Sequence, residues 1–302
     1  MNALDRAEGA KWVAWQGDCV ELMAGMPEGS IDLTVTSIPF ANLFCYGASE
    51  RDFGNARDHR EFFDQFEHGL RAWYRVTKPG RLACVHLMNL PSLKTRDGYV
   101  GLIDFRGQVI SAFVRTGWIY TSEVVIWKSP VVAAVRTHAL GLMYQTLRKD
   151  STMSRMGIPD TIVMFRRPGD NAERVAHTYD SFTLDQWRDW ASPVWMDIDQ
   201  SDTLQIAAAR EEKDEKHVCP LQIEPIRRCV ELYSNPDDVV FDPFGGIGST
   251  VYTAIKHGRR GVMHELKRSY YEQALLNIRR AEIESAQPDL FSLPIGTRDA
   301  RP

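Results

Sequence analysis

The sequence predicts an α/β protein with a mainly parallel, doubly wound sheet, and three observations carry that expectation. Apolar runs of strand length alternate with helical stretches in the first 127 residues and again after residue 210. One late strand, in "VVFDPFGGIGSTVYTAIKHG" (239–258), passes through a glycine-rich turn into a helix. Between the two regular parts, from Lys128 to about Arg210, the apolar spacing becomes irregular and Pro and Gly accumulate.

The elements follow in order. Trp12–Gln16 and Ile31–Ser37 read as short strands, and "GDCVELMAGMPEGS" between them fits one helix closed by Pro27 and Gly29. Asp58–Thr77 carries Phe62, Phe63, Phe66, Leu70, Trp73 and Val76 as a helical stripe that ends at "KPG". A buried strand, "RLACVHLMNL", comes next, then a helix over Asp104–Thr116 and a strand over Trp118–Trp127. After the irregular stretch come a helix near Leu221–Tyr233, the strand "DDVVFD", a helix after Gly248, the strand "RGVMHE" and a helix from about Ser269. The tail from Ser285 reads as mobile. The expected division is 1–127, 128–210, 211–284 and a tail, 285–302.

Composition narrows the class. A chain of 302 residues is long enough for one large α/β domain plus an inserted or appended subdomain. Hydrophobic content of 44% and charged content of 25% are those of a soluble globular protein. No apolar run approaches the roughly 20 residues that cross a bilayer, and "MNALDRAEGAK" does not read as a signal peptide. The five cysteines, Cys19, Cys45, Cys84, Cys219 and Cys229, form no CxxC pair and no metal-ligand spacing; they suit a reduced cytosol and no metal is expected. The net charge of −4 gives no global sign of nucleic-acid binding.

Two familiar readings of the glycine-rich turn fail. A dinucleotide fingerprint needs a third glycine where Val251 stands, and a phosphate loop needs Gly-Lys-Ser/Thr where the chain has Gly248-Ser249-Thr250. The glycines Gly245, Gly246 and Gly248 still let a ligand approach the backbone, and the helix behind them offers free N–H groups. The next strand ends in Glu265, positioned to accept hydrogen bonds from ribose hydroxyls. Taken alone, the loop also reads as a tight turn with a capping acid.

Phe244-x-Gly246-x-Gly248 resembles the S-adenosylmethionine (SAM) loop of DNA amino-methyltransferases. In "IDLTVTSIPF", Ser37, Pro39 and Phe40 resemble that family's second motif, Asp/Asn/Ser-Pro-Pro-Tyr/Phe, from which Ile38 departs. Asp18, in the Gly-Asp that opens the first helix, and His217, Pro220, Leu221 and Gln222, just before the SAM loop, also stand where the family has them. The resemblance covers about 1–127 and 211–284. It implies a Rossmann-like SAM-dependent methyltransferase sheet, circularly permuted in the order of the β class, with an inserted target-recognition region. It implies SAM as cofactor, held by Asp18, His217, Pro220, Asp242, Phe244, Gly245, Gly246, Gly248 and Glu265. "ASERDFGN", "LIDFRG", "KDSTMSRMGIPD" and "ASPVWMDI" look like a phage-type, solitary branch, which implies a cytoplasmic, nucleoid-associated enzyme.

The chemistry explains the residue types. An exocyclic amine is a poor nucleophile because its lone pair is conjugated into the ring. Acceptors at the Ser37 hydroxyl and the Ile38 carbonyl would draw its protons into a pyramidal arrangement, with Phe40 stacked on the flipped base and Pro39 stiffening the turn. Alignment in a dry site supplies most of the acceleration, so no general base is assigned. A C5-cytosine mechanism needs a cysteine nucleophile, usually in a Pro-Cys pair, whereas this chain has only the reverse, Cys219-Pro220. Ser37 leans toward N4 of cytosine across the family and solitary enzymes lean toward N6 of adenine; the reading favours N6-adenine, with N4-cytosine, an RNA amino-methyltransferase or an inactive DNA-binding homologue as alternatives.

Between Lys128 and Arg167 seven basic residues stand against two acidic ones, which suits contact with double-stranded DNA. Arg136, His138, Arg148, Lys149 and Arg155 are the candidate contacts; a solvated basic face is the plainer alternative. In the tail, Gln287–Phe291 ("QPDLF") resembles the peptide that docks on bacterial sliding clamps, and the β class implies a homodimer.

Overall fold

The computed structural model of the chain describes residues 3–40, 59–92, 94–137, 139–204 and 221–286. The first half contains β1 (Asp5–Glu8), β2 (Trp12–Gln16), α1 (Cys19–Ala24), β3 (Ile31–Ser37), α2 (His59–Val76) and β4 (Thr77–Leu87). It continues with β5 (Leu90–Ser92), α3 (Lys94–Asp97), β6 (Gly101–Ile103), α4 (Phe105–Arg115) and β7 (Ile119–Ile126). Then come α5 (Pro130–Thr137), α6 (Tyr144–Lys149), β8 (Asp160–Arg166), α7 (Leu184–Trp190) and β9 (Val194–Trp195). The last part holds α8 (Ile223–Tyr233), β10 (Val239–Asp242), α9 (Ser249–Lys256), β11 (Arg260–Glu265) and α10 (Arg268–Ala286).

Nine strands form one sheet in the order β1-β2-β11-β10-β3-β4-β8-β7-β9. The five strands from β2 to β4 in that order are mutually parallel. β8 runs antiparallel to both β4 and β7, and β1 runs antiparallel to β2. β5 and β6 pair as a separate hairpin.

Each sheet face has its own core because side chains alternate along a strand. One face packs α1, α2 and α4 through Met23, Phe62, Phe66, Leu70, Trp73 and Phe113, with Phe113 and Phe165 of β8 stacked at 3.8 Å. The other packs α8 and α9 on Leu33, Val35, Cys84 and Met164 through Ile226, Cys229, Val230 and Ala254. α10 and α9 cover β2 and β11 with Tyr271, Ala274 and Ile278 against Trp12, Ala14 and Met263. A polar truss holds the edge away from the site: buried Arg81 lies 2.9 Å from Asp238 and 3.3 Å from Asp32, and Lys78 lies 2.7 Å from Asp32.

Most expected strands and helices of the two regular parts lie within a residue or two of the observed ones, but β4 starts at Thr77 and ends at Leu87 rather than spanning 81–90, and β1, β5, α3 and β6 are not among the expected elements. The irregular stretch 128–210 departs further. Its run Thr161–Phe165 enters the large sheet as β8, between β4 and β7. The basic stretch is divided accordingly. Lys128 is paired with Asp160 at 2.5 Å, while Arg166 ends β8, with Arg167 just beyond it, at the opposite sheet edge from Asp160. There Arg167 donates to Glu28 at 3.0 Å and lies over the Tyr74 ring. The excess of positive charge on the site side therefore rests on fewer residues than the count along the chain.

Candidate active site

Parallel strands bring their C-terminal ends to one edge, and β3, β4, β10 and β11 all finish there. The loop after β10 turns on two glycines in the left-handed region, Gly246 (φ 52°) and Gly248 (φ 84°). The Gly248 N–H donates to the Gly245 carbonyl at 2.8 Å, and α9 starts at Ser249. A Cβ at Gly245 would collide with Met263, whereas one at Gly246 would meet nothing within 4 Å. Gly245 is thus needed for packing, and Gly246 is the point where the backbone is open to an approaching ligand.

Glu265 closes the other side of the loop. Its carboxylate accepts from the Gly246 N–H at 2.7 Å and from the Lys267 N–H at 2.7 Å, and a carboxylate oxygen can accept from more than one donor. The Glu265 carbonyl accepts from the Gly17 N–H at 2.9 Å, which brings the Gly17-Asp18 turn to the same place. Asp18 itself caps α1, accepting from Val20 and Glu21 N–H groups at 2.9 and 3.0 Å.

Asp242, at the end of β10, joins this loop to β3. Its carboxylate accepts from the Thr36 hydroxyl at 2.6 Å and the Phe244 N–H at 3.0 Å. Burial pushes its carboxyl up from the ordinary 3.8 to about 6, against the pull of those hydrogen bonds. Phe244 is half-buried against the α1/α2/α4 core. The segment Ser37-Ile38-Pro39-Phe40 leaves β3 immediately after Thr36, with Ile38 buried and Phe40 half-buried. The Phe40 ring lies edge-on to His86 at 6.4 Å and tilted against Phe105 at 6.2 Å.

His86 and Asp160 were not singled out from sequence. Ser37 pairs in register with His86 on β4, and Ser37 Oγ lies 3.0 Å from His86 Nδ1. On the far side of the ring, Asp160 Oδ2 lies 3.0 Å from Nε2, off the line of a strong hydrogen bond. Burial would raise the Asp160 carboxyl, but His86 and Lys128 outweigh it and hold the group below the usual carboxylate range. The signal for Asp160 was present as the short apolar run "TIVMF" with Pro159 before it and Pro168-Gly169 after it.

Other sequence-derived candidates stand apart. Arg148 and Lys149 end α6 and are exposed, with no ion pair among the described residues. Arg155 packs along Gly141 and donates to the Met156 carbonyl at 3.1 Å. His138, His217, Pro220 and Gln287–Phe291 lie outside the described residues, as does the side chain of Arg136. The carboxylates Asp32, Glu173 and Asp238 cluster, but among Arg81 and Lys78 rather than at this edge.

A DNA methylase family profile, for N6/N4 methylases, matches residues 31–276, from β3 through the glycine loop and into α10. The chain belongs to that DNA methylase family. It is 26% identical over 201 residues to the Type II methyltransferase M.MjaI of Methanocaldococcus jannaschii, covering 65% of this chain and 60% of the relative. It is 35% identical over 81 residues to the methylase YubD of Escherichia coli K12, 26% of this chain and 36% of that one. The chain thus spans less than two thirds of the length of either curated relative. Among solved structures, TTHA0409 of Thermus thermophilus complexed with SAM superposes with a TM-score of 0.66 at 22% identity, covering 90% of this chain and 93% of that one. The cytosine-N4-specific PvuII DNA methyltransferase superposes at 0.65 with 17% identity, over 94% and 96%. At these identities the superpositions establish a mixed α/β methyltransferase fold.

Proposed function

We propose that this chain transfers the methyl group of SAM to the exocyclic amine of a base turned out of duplex DNA, N6 of adenine being the target. The observation that carries the proposal is the junction of two motifs: the Thr36 hydroxyl and the Asp242 carboxylate, 2.6 Å apart, tie the Ser37-Ile38-Pro39-Phe40 segment to the glycine loop. The chain order, catalytic segment first and glycine loop last, accords with the permuted β class. The loop fits the cofactor on its own chemistry, since the left-handed Gly246 leaves its backbone open on the side facing the site and the Glu265 carboxylate can accept from hydroxyls beside the backbone N–H groups. Bound there, SAM would supply an electrophilic methyl carbon whose bonding pair remains with sulfur.

The chain's own residues then orient and dry the site. Glu265, Phe244 and the Gly246–Gly248 backbone would hold the cofactor. Ser37 Oγ and the Ile38 carbonyl would accept the two amine protons, exposing the nitrogen lone pair, and Phe40 would stack on the base. Arg148, Lys149 and Arg155 would meet phosphates. The serine at position 37 favours N4 of cytosine as a second reading.

Mass spectrometry of nucleosides from unmethylated DNA incubated with protein and SAM tests the proposal. N6-methyladenine is expected; N4-methylcytosine would keep the chemistry and change the base. SAM binding without any methylated nucleoside from several DNA sources would overturn it, and methylation of RNA alone would reassign the substrate. Ser37→Ala should lower the rate by about 10²-fold, the scale of losing one transition-state hydrogen bond, while SAM affinity stays unchanged.

A further inference from the structure

We infer that His86, Asp160 and Lys128 form a proton relay behind Ser37, in which His86 is a positioning residue that keeps the serine oxygen an acceptor and receives the proton released after methyl transfer. The inference rests on the amino-methyltransferase reading above. Its geometry is a chain of three contacts: Ser37 Oγ to His86 Nδ1 at 3.0 Å, His86 Nε2 to Asp160 Oδ2 at 3.0 Å, and Lys128 Nζ to that same oxygen at 2.5 Å. His86 and Asp160 are both more than nine-tenths buried. Asp160 on β8 is the charged group paired with the ring, and Lys128 beyond β7 reaches it through the Asp160 carboxylate. Ser37 from β3 and the Phe40 ring complete its surroundings.

A hydroxyl has one hydrogen and two acceptor positions. Ser37 can offer its lone pairs to a substrate amine only if its own hydrogen points away from it. His86 Nδ1 takes that hydrogen when the ring proton sits on Nε2, and a carboxylate beside Nε2 favours that tautomer. Lys128 matters because it balances Asp160. Without it, the buried carboxylate would be neutralised most cheaply by an imidazolium, whose Nδ1–H would donate to Ser37 and turn the serine hydrogen toward the amine. Lys128, 2.5 Å from the same carboxylate oxygen, supplies that balancing charge in place of the ring.

The same chain accounts for the proton. As the amine lone pair forms the N–C bond and the C–S pair returns to sulfur, nitrogen becomes positively charged and must release one proton. Ser37 Oγ takes it while passing its own hydrogen to His86 Nδ1. This leaves a neutral serine, a neutral methylated amine and an imidazolium beside the Asp160 carboxylate, and the proton then passes to water once the methylated base has left.

Two measurements test this. Nitrogen-15 NMR of the histidine-labelled protein, with the His86 signals assigned by loss in His86→Asn, reads the tautomer without any turnover. The Nε2–H form is expected near neutral pH. An Nδ1–H form, or an imidazolium that persists up to about pH 8, would overturn the relay. The second measurement is the pH profile of methyl transfer. His86→Asn keeps an acceptor oxygen near the Nδ1 position but cannot titrate, so activity should stay within about tenfold of the parent and the acid limb should disappear. His86→Leu should lose about 10²-fold with SAM affinity intact. Lys128→Met should move the acid limb up by about one pH unit, a change that a purely structural lysine would not cause. Parental activity in His86→Leu, or an unmoved limb in Lys128→Met, refutes the relay. If the parent transfers no methyl group to DNA, the methyltransferase reading falls by itself and the NMR still decides whether His86 holds the serine hydrogen.

Discussion

Replacing Asp242 by Asn should make the folded protein less sensitive to rising pH. Asp242 is buried, and its carboxyl is raised from the ordinary 3.8 to about 6. Its folded-state value lies above the unfolded one, so its contribution to stability is fully present below about pH 3.8 and is lost as pH rises through about 6. A separation of about two pH units corresponds to about 3 kcal/mol at neutral pH. Asparagine keeps the shape and an oxygen that accepts from the Thr36 hydroxyl and the Phe244 N–H, yet carries no charge to desolvate. Other carboxylates titrate alike in both proteins and cancel in the comparison. The melting temperature of Asp242→Asn relative to the parent should therefore rise by about 6 °C between about pH 4 and pH 8, at roughly 2 °C per kcal/mol for a chain of this length. Parallel thermal scans in a single buffer series measure it. A difference that stays constant across that range, or falls, would refute the placement of a costly buried carboxylate between the two motifs.

The two loop glycines should separate stability from binding. Gly245→Ala drives a methyl to 2.4 Å from Met263 Cε and 3.2 Å from the His264 carbonyl, and should cost about 1–3 kcal/mol in urea unfolding by overpacking. Gly246→Ala meets no neighbour but must hold a left-handed backbone at about 1–2 kcal/mol; calorimetry should show it weakening SAM binding more than Gly245→Ala does. Arg81→Met leaves Asp32 and Asp238 without their buried partner and should destabilise by about 3–5 kcal/mol in urea unfolding. Reversing charge at the end of α6, with Arg148→Glu and Lys149→Glu together, should weaken duplex DNA binding equally across sequences and flatten its salt dependence by about two phosphate contacts. Unchanged binding would remove α6 from the DNA surface.

Local sequence was enough wherever one pattern had one outcome. The stripe from Phe62 to Val76 could bury its aromatic rings only as a helix, and α2 spans His59–Val76. The turn Gly245–Gly248 could reverse direction only where left-handed backbone is tolerated, so the loop, its strand and its helix were all legible. Ser37 at the end of an apolar strand was legible for the same reason. What sequence left undecided were partnerships between strands far apart along the chain. The run Thr161–Phe165 is too short and too evenly apolar to declare which neighbours it takes, and its antiparallel insertion between β4 and β7 is what brings Asp160 to His86. Nothing local to "ACVHL" marks its histidine as the neighbour of Ser37. Likewise Glu265 was legible as the end of a strand, but its bond to the Gly246 N–H exists only because β10 and β11 lie side by side in parallel. The sequence by itself determined most elements of the two regular parts, their order and the two motifs, because those depend on periodicity and backbone sterics within a few residues. The tertiary structure alone decided which charged and polar groups share the site, because that depends on strand order and register, which no single segment encodes.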